Sequence, residues 1–182
     1  MPLSSAAGAL LMPLALLPIG PPEAPGPGGA TAGAVPDQVV NAQFDRADGF
    51  VAARAVTHAP DLVPYGAQVR VTVHREEGRT TVAVELAGVA GPHDFPAHVH
   101  TGYCGVDPAA SGPHYQHVAN ADSADNEVRM TVHTDAGGAG HASATVPWAF
   151  RPDGAHSLVL HAGTDAGRHA AADRVGCVDV DF

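Results

Sequence analysis

Val69-Arg-Val-Thr-Val-His74 and Thr80-Thr-Val-Ala-Val-Glu-Leu86 carry valine or leucine at every second position, with Arg75-Glu-Glu-Gly-Arg79 between them. A period of two sends alternate side chains to opposite faces of an extended chain. The stretch therefore predicts two strands joined by a hairpin loop. The texture recurs further along. Val128–His133 and His141–Val146 flank Thr134-Asp-Ala-Gly-Gly-Ala-Gly140, while Ser157-Leu-Val-Leu-His161 and Cys177-Val-Asp-Val-Asp-Phe182 read as two more strands. No segment shows a 3.6-residue apolar period with helix caps. Short strands punctuated by Gly, Pro and Asp predict an all-β domain, an antiparallel sandwich or flattened barrel. Two irregular stretches, from about Thr101 to Asn126 and from Ala162 to Val175, each begin at a histidine-bearing strand end. Long loops in such places are usually functional.

The chain has 182 residues, and its nine basic residues, all arginine, face 19 acidic ones for a formal net charge of −10. An acidic balance argues against nucleic acid or an anionic membrane surface as partner, since both require basic patches. No run of 18 apolar residues exists to predict a membrane-spanning helix. The length and composition suit one ordinary core. Residues 6–19, AAGALLMPLALLPI, have the length of an export signal, although Met1-Pro-Leu-Ser-Ser5 lacks the usual basic residue. The expected organisation is a degenerate signal over 1–20, a Pro/Gly/Ala-rich linker over 21–36 and a folded domain over 37–182, in a secreted or cell-envelope protein. The two cysteines, Cys104 and Cys177, have no C-x-x-C spacing. They form either one long-range disulfide or two unrelated buried thiols, and an oxidising compartment favours the bridge.

Twelve histidines outnumber the fixed positive charges. In His98-Val-His100, residues two apart on a strand place two imidazoles on one face, a donor pair suited to Cu, Zn or Ni. His114 follows in the loop sequence Gly112-Pro-His-Tyr115, and His161 ends a strand. His58, His74, His93, His133, His141, His156 and His169 belong to no motif and are expected on the surface or in loops. Trp148 is expected in the core or at a subunit contact.

The ordered set His98-Val-His100, Cys104, Asp107-Pro108, Gly112-Pro-His-Tyr115, Leu158-Val-Leu-His161 and Arg174-x-x-Cys177 resembles the copper–zinc superoxide dismutase family, from about Val39 to Phe182. The resemblance implies an immunoglobulin-like Greek-key β-barrel of about eight antiparallel strands with two long functional loops. It implies one copper per chain, held by His98, His100, His114 and His161, with His114 bridging to zinc. It also implies a disulfide between Cys104 and Cys177, and an Arg174 that stands beside copper and guides superoxide. Asp165 falls where the family places an aspartate linking the metal ligands. Family members occur as monomers or homodimers, and nothing in this sequence selects between them.

The zinc site departs from the family pattern. Zinc needs three partners beyond His114, and the following segment offers only His117, Asp122 and Asp125, with His117 closer than the family's next ligand. The expectation is therefore copper without zinc, in preference to a rebuilt zinc site. In the short second loop, Arg168 and Arg174 are the charges available to steer an anion. A non-catalytic copper-binding module of the same fold, for storage, delivery or scavenging, is the rival reading. A structural envelope protein with a vestigial site is a third. The full set of copper positions together with Arg174 favours catalysis.

Overall fold

The computed structural model describes residues 36–121, 123–163 and 173–182. The expected signal and all but the last residue of the linker lie outside these. Nine strands are described: β1 (Gln38–Arg46), β2 (Ala55–Thr57), β3 (Gln68–Glu76), β4 (Arg79–Ala87), β5 (His93–His100), β6 (Arg129–Thr134), β7 (Gly140–Val146), β8 (Ser157–His161) and β9 (Arg174–Asp179). They close a barrel in the order β1-β2-β9-β8-β5-β6-β7-β4-β3. Closure leaves no sheet edge unpaired. The chain passes from β4 to β5 across the barrel end, over β7 and β6, a Greek-key type of connection. No helix among the described residues is long and apolar enough to cross a membrane.

The expected all-β barrel is present, with one difference in strand count and sense. Nine strands rather than eight are described, and β1 and β2 pair in parallel. β2 is only three residues long, and its other side pairs antiparallel with β9. This short strand fills the gap between the first and last long strands.

The opening stretch behaves as its period requires. Val69, Val71 and Val73 of β3 and Val82, Val84 and Leu86 of β4 are all buried in the barrel interior. The hairpin is tighter than the five-residue loop expected, because Glu76 pairs with Arg79. Glu77 and Gly78 alone make the turn, at φ values of 50° and 77°. Positive φ at both positions is the two-residue turn whose twist matches paired strands. β9 likewise starts three residues before the expected strand, at Arg174.

One strand positions the site. Phe95, Ala97 and Val99 of β5 enter the core beside Leu158 and Leu160 of β8. Alternation then puts His98 and His100 on the outer wall. Both are nevertheless fully buried. The segment after β5 covers this wall, and a disulfide pins it there: Cys104 is bonded to Cys177, with Cα atoms 5.7 Å apart. Cys177 lies between Val159 of β8 and Val56 of β2 in a small apolar cluster outside the barrel. The bridge is thus the arrangement adopted, not two separate thiols.

Candidate metal centre

Each imidazole reaches the site by a different local device. His98 and His100 share the outer face of β5. His161, at the end of β8, lies opposite Arg174 of β9, where the ladder shifts register after Leu160. His114 arrives because the chain at 114–115 folds back along the end of β5. His114 forms an isolated antiparallel bridge with His100, and the Tyr115 amide donates to the Val99 carbonyl at 2.8 Å. Tyr115 is fully buried in the core and anchors that return.

The four rings converge. Centroid separations are 4.1 Å for His98–His114, 4.7 Å for His100–His114, 5.1 Å for His98–His161 and 5.4 Å for His100–His161. His98, His114 and His161 each offer a nitrogen, all within 4.8 Å of one another. His100 joins them, with its Nε2 3.3 Å from Nε2 of His161. Nδ1 of His100 lies 2.9 Å from the Gly112 carbonyl, to which it can only donate, so the lone pair falls on Nε2. Burial pushes the His100 pKa down to about 3, against the raising effect of that hydrogen bond. The ring is therefore neutral at ordinary pH, the form that ligates metal.

Gly112 supplies this carbonyl from an unusual backbone position, φ 70° and ψ −167°. That region is nearly closed to residues with a Cβ. A Cβ there would also come within 2.5 Å of the Thr101 hydroxyl oxygen.

The outer nitrogen of His114 has a partner that the sequence reading missed. Nδ1 lies 3.0 Å from Oε2 of Glu127, a buried carboxylate just before β6. Gln116 donates to Oε1 of Glu127 at 2.9 Å, and Arg129 approaches Oε2 at 2.9 Å. Burial opposes ionisation of Glu127, but the bonds from Gln116 and His114 and the charge of Arg129 outweigh it and hold its pKa below the ordinary value. With Nδ1 donating to this carboxylate, the lone pair of His114 falls on Nε2. A faint signal did exist: Glu127-Val-Arg129 places opposite charges on one side of an extended segment.

Arg174 is half-buried. Its guanidinium donates to the Pro108 carbonyl and to the Ser111 hydroxyl, both at 2.9 Å. Asp107 caps the short 3-10 turn Pro108–Ser111 by accepting from the Ala109 amide. Burial lowers the Arg174 pKa, and the nearby Asp107 opposes this. His58, just past β2, is another neighbour without a motif; burial lowers its pKa, with Asp107 raising it and Arg174 lowering it.

The other residues considered for metal lie elsewhere. The His117 ring stacks on Trp148, with centroids 4.8 Å apart and planes 4° from parallel. The Asp125 side chain is exposed, while its backbone carbonyl accepts from the Trp148 indole at 2.6 Å. Asp122, Asp165 and Arg168 lie outside the described residues.

The donor set fits a transition-metal ion that favours imidazole, such as copper. Two nitrogens bound at about 2.0–2.1 Å to one ion would stand roughly as far apart as the Nε2 atoms of His100 and His161 do.

No protein-family model matches the chain, and no curated protein matches it. Among solved structures, the chain resembles the Cu/Zn superoxide dismutase from Brucella abortus. That match has a TM-score of 0.52 and 15% identity, and covers 80% of this chain and all of the other. A match to the clock protein EA4 has a TM-score of 0.46 and 16% identity, covering 69% of this chain and 88% of the other. At such identity the first likeness carries the fold: this chain has a superoxide dismutase-like β-barrel.

Proposed function

We propose that this protein is a copper-dependent superoxide dismutase acting outside the cytoplasm, with one copper and no neighbouring zinc in its buried centre. The observation that carries the reading is the convergence of four imidazoles, three of them fully buried, on the outer wall of a superoxide dismutase-like barrel. His98, His100, His114 and His161 would hold the metal. Copper there would supply single-electron cycling between two oxidation states, the couple that disproportionates superoxide into dioxygen and hydrogen peroxide.

The protein's own residues do the rest. Gly112 fixes the tautomer of His100, and Glu127 fixes that of His114. The buried wall excludes bulk water from the imidazoles. Arg174, tethered to Pro108 and Ser111, presents a fixed positive charge to an incoming anion. Absence of zinc is supported by Glu127, whose carboxylate takes the His114 nitrogen through which a second metal would be bridged. The disulfide supports export, and we assign residues 1–20 as the signal, 21–36 as linker and 37–182 as the catalytic domain.

The test is superoxide disproportionation by the full chain loaded with one equivalent of copper, beside His161→Ala. Activity above that of free copper, lost in the variant, is expected. The net charge of −10, which repels superoxide, favours the second reading, a copper-binding module without catalysis. Tight copper binding with no activity above free copper would establish that module and end the enzyme reading.

A further inference from the structure

Across the outer face of β5, β6, β7 and β4, the barrel carries a row of polar side chains. Register pairs Asp94 of β5 with His133 of β6, His133 with His141 of β7, and His141 with Glu85 of β4. All four are exposed, so all lie on the outer face. His133 and His141 belong to no motif and take no part in the buried centre. We propose that this pair is a second, solvent-facing site for a divalent transition-metal ion such as Zn(II), independent of the buried imidazoles.

Three features support it. Residues directly opposite on adjacent antiparallel strands have Cβ atoms about 4.5–5.5 Å apart, within which two imidazoles can turn to one ion. The tautomer of His133 is already set: its Nδ1 lies 2.6 Å from Oδ1 of Asp94. A carboxylate accepting from Nδ1 puts the lone pair on Nε2 and raises its basicity, the arrangement that commonly supports a metal-bound histidine. Glu85 then stands beside His141 as an oxygen donor. Its ion-pair partner, Arg70, is 3.9 Å away and exposed, a weak competitor. Turned toward one ion by side-chain rotation, two imidazoles and a carboxylate, with water completing the shell, would make a site for zinc or a neighbouring divalent metal. A dication there also offsets part of the chain's negative charge.

Zn(II) titration of the full chain, followed by NMR of the histidine ring nitrogens, tests it. The His133 and His141 rings are expected to shift together at micromolar Zn(II). His133→Ala and His141→Ala should each abolish that transition, and Asp94→Asn should weaken it by about tenfold or more. His161→Ala, which disables the buried centre, should leave it intact, so failure of the copper reading and failure of this one are distinguishable. All three exposed substitutions should leave the far-ultraviolet circular dichroism unchanged. If neither ring responds below millimolar Zn(II), or if removing either histidine leaves the transition in place, the site does not exist.

Discussion

His100 and His161 bring two Nε2 atoms to 3.3 Å, where two imidazoles share either a proton or a cation. Residues behind the rings decide how ready they are for the cation. Glu127 holds Nδ1 of His114 and is itself held by Gln116 and Arg129. Glu127→Gln keeps the shape but removes the charge, and copper affinity should fall about 10–100-fold in competition with a chelator. An unchanged affinity would mean that the carboxylate does not orient the ligand. Gly112→Ala forces a Cβ into a backbone region that excludes it, and against Thr101. The expected loss is about 1–3 kcal/mol, read by denaturant unfolding. At this scale the sequence was half legible. His98 and His100 announce themselves because strand alternation fixes their common face. Glu127 does not, because only the return of residues 114–116 beside the start of β6 brings it to His114.

Among the elements, β3 and β4 were readable from their valine spacing, since each faces the core on one side and solvent on the other. β1 was not, because the interior positions Val40 and Phe44 are separated by the small, half-buried Ala42. β2 is too short for any period to show. The first residues of β9 also hid, because Gly176 breaks the apolar pattern; it lies against the Phe44 ring and Leu160, where a Cβ would come within 3.1 Å of the ring. The loop after β5 has little apolar surface to hold it, and the Cys104–Cys177 bridge does so instead. With the cysteines 73 positions apart, closing that loop lowers the entropy of the unfolded chain. Reduction should cost about 4 kcal/mol and lower the melting temperature. Identical melting with and without reductant would rule out a structural role for the bridge.

For the molecule as a whole, the question is how a chain with net charge −10 could attract an anion. Distant carboxylates are screened within about a Debye length, roughly 8–10 Å in ordinary buffers, whereas a half-buried charge at the site is not. Arg174 must therefore dominate locally if superoxide is the substrate. Arg174→Gln should reduce the second-order rate about tenfold or more. Its salt dependence should also change sign: added salt slows the native protein by screening Arg174 but speeds the variant by screening the global repulsion. A variant with native rate and native salt response would remove Arg174 from the account. Barrel class was legible from the chain because it is written in local spacing, whereas beyond the His98–His100 pair the grouping of His114 and His161 with them came only with the family resemblance. Closure by a parallel β1–β2 pair was not, since it depends on contacts between distant ends.

The most direct measurement is the electron paramagnetic resonance spectrum of the full chain carrying one equivalent of Cu(II). Nitrogen hyperfine structure from several imidazoles is predicted, with fewer coupled nitrogens in His98→Ala and in His161→Ala. A spectrum dominated by oxygen ligands, or one that neither substitution changes, would contradict a copper centre at this site.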